Sequence, residues 1–384
     1  MREFFLADDL SGALDAAGAF HRAGQAVTIA LTLEAWPAAR AGQIVGFTTE
    51  TRNAAAAAAA EAVTRAIAHG TAQGGRLVYK KIDSTLRGPV AAELAALQRA
   101  LPGTRILFTP ANPGVGRTVR EGVLLVNGVP VAETEFARDP VSPVRQSAIA
   151  KLLGAAATAR VVIADTESEN DLSAAVTSFA AGPGPWVAVG SGALARPVAR
   201  QRARGQSGAP STAAPAALQP VPDVGVAGTT ACLFLCGSAH PRNREQVAVL
   251  ARERQVTVHE FRPADSEATT AAVVAALRAA RSVALVIEAA RGDSALVVRS
   301  LAAVAGCAVR DAGVRRLFIT GGETAFAVCG ELGVAALDFE REVESGLCVA
   351  RAELPGGGGV RLAIKPGGFG GPATWVRAGD ALRE

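Results

Sequence analysis

The sequence predicts an α/β protein of two domains, each a mostly parallel, Rossmann-like sheet flanked by helices. Three observations carry this expectation. The 384 residues suffice for two to three domains at the usual ~100 to 200 residues each. Short apolar runs alternate with Ala-rich segments of helical period, the rhythm of α/β architecture. Between residues 201 and 230 that rhythm stops, and Pro, Gly, Ser and Thr accumulate.

The elements follow in order. Glu3 to Ala7 reads as a strand and Gly12 to Ala23 as a helix, followed by strand-like runs at Val27 to Leu31, Gly75 to Tyr79, Arg105 to Thr109, Arg160 to Ile163 and Trp186 to Val189. An apolar strand also precedes Thr49. The alanine run at 54 to 60 suits a helix, because Ala has the best intrinsic helix propensity. After the interruption the pattern restarts with a strand at Ala231 to Cys236, a helix near 242 to 254, a strand at Val256 to Glu260 and a helix near 267 to 280. A strand at Val283 to Ile287, a helix near 294 to 310, a strand at Arg316 to Ile319 and two strands within 346 to 364 complete it. The expected organisation is a domain at 1–205, a linker at 206–230 and a domain at 231–384.

Composition excludes several classes. Hydrophobic residues make up 49% and charged residues 19%, too apolar for a disordered chain. The net charge of +4 comes from interspersed residues, and aromatics reach only 4% with a single Tyr, which argues against a nucleic-acid partner. A small anionic ligand suits this balance. The longest charge-free stretch, 172 to 195, is broken by Pro183 and Pro185, so no membrane span is expected. Asp8 and Asp9 stand where a signal peptide needs apolar residues, which points to the cytoplasm. The five cysteines lie mostly in apolar runs and read as buried thiols; Cys232 and Cys236 lack a second ligand pair for zinc.

Polar residues gather where strands end, which is where open α/β sheets bind ligands. Asp8 and Asp9 follow the first strand; capping of the next helix would account for one of them, and a functional site for the pair. Lys80, Lys81, Asp83, Ser84, Thr85 and Arg87 follow the strand at 75 to 79, with Glu93 in the ensuing helix. Arg can hold a carboxylate bidentately while Ser and Asp take hydroxyls, a set suited to a polyhydroxylated acid. Only four of the 39 basic residues are lysines, and Lys80, Lys81 and Lys365 all fall in such strand-end loops. Further polar loops are Thr49 to Arg52, Thr109 to Arg117 and Thr134 to Pro140. In the second half Gly237-Ser238, Thr320-Gly321-Gly322-Glu323-Thr324 and Lys365-Pro366-Gly367-Gly368 offer backbone amides to phosphate. None matches the P-loop or G-x-G-x-x-G pattern.

Taken together, ADDLSGALDAAGAF, KKIDSTLRGPVAAEL, TPANPGVGRTVREGVLLVNGVPVAETEFARDPVSP, GSAHPRNREQV, TGGETA and IKPGGFG resemble the four-carbon acid sugar kinase family, once a family of unknown function. The resemblance covers nearly the whole chain. It implies an N-terminal domain that binds threonate, erythronate or 3-oxo-tetronate, a C-terminal domain that binds ATP, and a 4-phosphate product. It places Asp8, Asp9, Arg52, Lys81, Asp83, Ser84 and Arg87 at the sugar, and Ser238, Gly321, Gly322, Glu323, Thr324, Gly367 and Gly368 at the nucleotide. The family's usual Lys-Ser-Gly-Asn-Phe-Gly becomes Lys365-Pro366-Gly367-Gly368-Phe369-Gly370 here, so an Asn contact is lost, and His240 and Arg242 have no assigned role.

The expected reaction is Mg²⁺- and ATP-dependent phosphorylation of a four-carbon acid, D-threonate or D-erythronate first and 3-oxo-tetronate as the alternative. Asp9 or Asp83 would serve as base, Lys81 would lie near the phosphoryl group, and Arg52 and Arg87 would hold the substrate carboxylate. The site is expected in a cleft between the domains, with metal ligands unassigned and a homodimer as a further expectation. A phosphatase using Asp8 needs D-x-D, whereas adjacent Asp8 and Asp9 should point to opposite sides. A non-catalytic acid-sugar sensor is the rival from another class.

Overall fold

The computed structural model describes residues 2–37, 42–206, 230–287 and 294–384. The expected linker falls almost wholly outside the described residues. The chain divides into two compact units, 1–216 and 217–384.

In the first unit β1 (Arg2–Ala7), α1 (Leu10–Arg22), β2 (Ala26–Ala30), β3 (Gln43–Thr48), α2 (Ala56–Ala72), β4 (Gly75–Lys81), α3 (Val90–Ala100) and β5 (Arg105–Thr109) alternate as expected. An excursion then carries three short strands, β6 (Arg117–Arg120), β7 (Val123–Val126) and β8 (Val129–Pro130), paired antiparallel as a separate small sheet. α4 (Ile149–Leu153), β9 (Val161–Ile163), α5 (Glu169–Ala181), β10 (Trp186–Gly190) and α6 (Gly192–Gln206) complete the unit. Its main sheet runs β2-β3-β1-β4-β10-β5-β9, and every pair is parallel.

A parallel sheet must be covered on both faces, which its nearly continuous apolar strands require. Phe5 stacks on Phe20 of α1 with ring centroids 5.4 Å apart, while Phe4 on the opposite face meets Trp36 edge-on at 5.4 Å. Strand order reverses at β1, whose neighbours are β3 and β4, so their carboxyl ends flank a topological switch point.

The second unit contains β11 (Leu233–Cys236), α7 (Arg242–Arg254), β12 (Thr257–Phe261), α8 (Ser266–Arg278), β13 (Val283–Ile287), α9 (Ser294–Asp311), β14 (Arg316–Thr320) and α10 (Gly322–Glu331). It closes with β15 (Ala336–Glu344), β16 (Leu347–Glu353), β17 (Gly359–Lys365) and α11 (Thr374–Arg383). The strand order is β12-β13-β11-β14-β17-β16-β15; the first five strands are parallel and the last two antiparallel. Its switch point lies at β11, between β13 and β14. Trp375 of α11 is fully buried against Phe234 and Phe318, at centroid distances of 6.2 and 4.9 Å. Cys232 and Cys236 are buried free thiols in the same core.

Candidate active site

At the carboxyl end of β1 the chain turns into α1 through Asp8 and Asp9. Asp9 caps the helix, its carboxylate accepting from the Gly12 amide at 2.7 Å and from the Ser11 hydroxyl at 2.6 Å. The guanidinium of Arg52, beyond β3, donates to both acids: Nε and Nη2 to Asp8 at 2.9 Å each, and Nη1 and Nη2 to Asp9 at 2.6 and 2.8 Å. The expectation that the two carboxylates point to opposite sides is therefore corrected. They lie past the last strand residue, where pleat alternation no longer applies, and converge on one cation. Burial works to raise the Asp8 carboxyl, but Arg52, backed by Lys80 and Lys81, outweighs it and holds it below its usual value.

Glu50 sits between β3 and Arg52 with a left-handed φ of 49°, a backbone state that costs a non-glycine residue about 1 to 3 kcal/mol and clusters at functional sites. Its carboxyl accepts from Thr48 Oγ1 at 2.5 Å. Burial and the Asp9 charge push it up to about 8, so it is largely protonated at neutral pH.

The two lysines ending β4 diverge as pleating requires. Lys80 pairs with Glu93 of α3 at 3.0 Å, both nearly inaccessible, and Thr51 also donates to Glu93. Lys81 lies on the other face and donates to the Ile82 carbonyl at 3.0 Å. In the loop that follows, Arg87 forks onto Asp83, with Nε and Nη2 at 3.0 and 2.8 Å, while Nη1 reaches Asp139 only at 3.5 Å. Thr85 donates to Asp83 through its amide at 3.1 Å and through its hydroxyl. Burial would raise Asp83, yet the charges of Arg52 and Arg87 hold it well below the carboxylate range. Ser84 is half-buried in this loop, and Leu86 takes a left-handed φ of 63°.

In the second unit three glycine-bearing loops converge at the carboxyl ends of β11, β14 and β17. The Gly321 amide donates to the Lys365 carbonyl at 2.9 Å, and the Gly237 amide to Thr320 at 3.2 Å. A Cβ at Gly237 would stand 1.9 Å from Thr324 Oγ1, and one at Gly367 2.2 Å from Ser238 Oγ, so only glycine permits this approach. Gly321, with φ of 101°, precedes α10, whose first residues Gly322, Glu323 and Thr324 present the free amides of a helix N-terminus. Lys365 is fully buried, and burial pulls its ammonium down to about 8. Its Nζ donates to Asn243 Oδ1 at 3.1 Å and to the Pro366 and Gly367 carbonyls at 3.2 and 3.0 Å. His240 and Arg242 border the same loop: Arg242 Nη1 reaches the Gly368 carbonyl at 3.5 Å.

All seven sugar-side residues named from sequence thus lie at the β1, β3 and β4 ends, and all seven nucleotide-side residues at the β11, β14 and β17 ends. Glu50 and Asp139 lie in polar loops legible in the sequence but without an assigned role there, and Asn243 of the second cluster has none either. Arg117 and Phe136, in the same set of named loops and likewise without a role there, border Arg87. The Asn127-Gly128 turn signal marks the β7–β8 hairpin, whose β7 pairs with the β6 strand that carries Arg117.

Comparison with known proteins gives the cluster its class. Residues 4–159 match a sugar-binding N-terminal domain model, and 233–375 a nucleotide-binding C-terminal domain model. The chain is 34% identical to a D-threonate kinase from Bordetella bronchiseptica, over 99% of this chain and 97% of that one. It is 32% identical to a D-threonate kinase from Cupriavidus necator, over 100% and 99%. A Salmonella typhimurium structure described as a putative tRNA synthase shares the fold with a TM-score of 0.78 at 21% identity, covering 98% of each chain. A Bordetella bronchiseptica structure with bound citrate, a domain-swapped dimer, aligns with a TM-score of 0.50 at 33% identity, covering 100% of this chain and 98% of that one. This two-unit α/β chain belongs to the four-carbon acid sugar kinase family. It is an ATP-dependent sugar-acid kinase.

Proposed function

We propose that the enzyme transfers the γ-phosphoryl group of ATP to the 4-hydroxyl of D-threonate or D-erythronate. The observation that carries this reading is the placement of two chemically distinct clusters at strand carboxyl ends. One, in the first unit, is rich in carboxylates and cations; the other, in the second, is a glycine cradle. The first is assigned to the acid sugar and the second to the nucleotide, with 1–205 and 231–384 as the corresponding domains. Relatives named D-threonate kinase support this choice, and a 29% identical 3-oxo-tetronate kinase from Methylobacterium radiotolerans keeps that substrate as the alternative.

Phosphoryl transfer asks a protein chiefly for alignment and charge stabilisation. Arg52 clamps Asp8 and Asp9 in register, and Ser84 offers a hydroxyl to the polyol. The base role falls to Asp9 or Asp83, each held by an arginine, Asp9 by Arg52 and Asp83 by Arg87. Lys81 lies near the incoming phosphoryl group. Ser238, Gly321 to Thr324, Gly367 and Gly368 line the phosphate cradle, whose geometry Lys365 maintains by tying down the loop carbonyls. Mg²⁺ would supply counter-charge to the phosphates. Glu323, in the first turn of α10, is the carboxylate beside this cradle that would face such an ion.

We further propose a cytoplasmic homodimer. No described helix is long and apolar enough to cross a membrane, and the domain-swapped dimer of the Bordetella bronchiseptica structure supports self-association.

The test is a coupled ATP-consumption screen over D-threonate, D-erythronate, 3-oxo-tetronate and the enantiomers. ATP loss should require one of these acids. Folded protein that consumes no ATP with any of them would be a sensor rather than a kinase.

A further inference from the structure

Arg117 opens the small antiparallel sheet of the first unit and is held rigidly at its backbone. Its amide donates to the Asn112 carbonyl at 3.1 Å, and its carbonyl accepts from the Asn112 amide at 2.8 Å. The side chain is poorly satisfied. Nη1 donates to the Val115 carbonyl at 2.7 Å, whereas Nε is buried with no hydrogen-bond partner. No described carboxylate lies within ion-pair distance of it.

Arg117 is half-buried, and a partly desolvated guanidinium whose Nε has no partner is costly unless a counter-charge repays it. The surroundings aggravate the imbalance. Arg117 and Arg87 both lie by the Phe136 ring, at 5.9 and 5.7 Å from its centroid. Arg87 is already forked onto Asp83, so Asp83 cannot neutralise both, and Glu135 is the other acid whose field reaches Arg117. Burial, aided by the Arg87 charge, pulls Arg117 below the usual guanidinium value, with Asp83 and Glu135 acting the other way. The other guanidinium of the cluster is committed, since four of Arg52's five N–H groups bond Asp8 and Asp9.

We propose that Arg117, acting with the loosely held Nη1 edge of Arg87, receives the carboxylate of the acid sugar and so determines that the substrate is an acid rather than a neutral polyol. The proposal rests on the kinase reading above. It replaces Arg52 in the carboxylate-binding role and leaves Arg52 as the clamp on Asp8 and Asp9. The Phe136 ring, with its centroid 5.7 and 5.9 Å from the Arg87 and Arg117 guanidinium groups, offers an apolar contact beside them.

The experiment compares kcat/KM for the four-carbon acid that wild-type enzyme phosphorylates with that for its uncharged amide. Wild type should favour the acid strongly. Arg117→Gln should lower kcat/KM for the acid roughly tenfold to hundredfold, chiefly through KM, while leaving the amide and the KM for ATP unchanged. Arg117→Lys, which keeps charge and stem, should recover part of the loss and serves as the readout if the Gln variant does not fold. Equal losses with acid and amide, or no loss with either, would overturn the assignment while leaving the kinase reading intact. A wild-type enzyme inert towards every four-carbon acid would instead overturn the kinase reading and, with it, this proposal.

Discussion

Adjacent residues of one type take up different tasks at the end of β4. Lys80 is enclosed with Glu93, and Lys81 faces the cluster around Asp9. Removing one partner of a buried pair leaves an uncompensated charge, so Lys80→Met should destabilise the first unit by about 3 to 5 kcal/mol in urea unfolding, with Glu93→Leu in the same chain recovering much of it. Full stability in Lys80→Met alone would show that the pair contributes little. Arg87→Lys acts on chemistry instead. An ammonium cannot reproduce the planar fork onto Asp83, and kcat/KM for the acid should fall by about tenfold to hundredfold at unchanged KM for ATP. Unaltered kinetics would remove Arg87 from the site. Glu50 adds a pH signature. Its folded value of about 8 stands above the ordinary 4.5, so the folded state binds the extra proton. The associated stability is complete below about 4.5 and is lost as pH rises through about 8. Glu50→Gln should flatten the thermal midpoint over that window; an unchanged slope would assign the titration elsewhere.

Among the elements, the loop from β14 into α10 is the most constrained by backbone geometry. Gly321 has φ of 101° and ψ of 124°, a region that costs a side chain of the order of 1 to 3 kcal/mol. Gly321→Ala should therefore weaken nucleotide binding measured by calorimetry while leaving acid binding intact. Equal loss of both ligands would make the turn a folding determinant. The two hairpins formed by β6, β7 and β8 show how far local signals reach. Glu121-Gly122 and Asn127-Gly128 all adopt positive φ, the state that two-residue hairpins demand, and the Asn-Gly pair is a legible marker of it. The charged run at Ala336–Glu344 is different: three Glu residues and an Arg mask the alternation of Leu337 and Phe339, and burial of those two becomes visible only once β16 pairs with it.

At the scale of the molecule, two compact units need not unfold together. With the acid assigned to the first unit and the nucleotide to the second, each ligand should stabilise its own unit by roughly 2.7 kcal/mol at a hundredfold excess over Kd and so raise the midpoint of that unit's calorimetric transition alone. A single transition raised alike by either ligand would contradict independent sites.

The alternation of apolar and helical segments determined the α/β class without help from the fold, because one-sided and two-sided burial impose their periods directly on the chain. Motif residues were also legible, since loops beyond strand ends have few structural reasons to collect Asp8, Asp9, Lys81, Asp83 and Arg87. Tertiary structure alone decided their partners. Arg52 meets Asp8 and Asp9 across more than forty residues at 2.6 to 2.9 Å, and Lys80 rather than Arg87 takes Glu93. Pairing of this kind depends on the angles at which neighbouring loops leave the sheet and on how burial strengthens each charge. The exposed or buried state of Arg117 follows from the same cause: a single sequence position cannot disclose which cation the fold leaves without an anion.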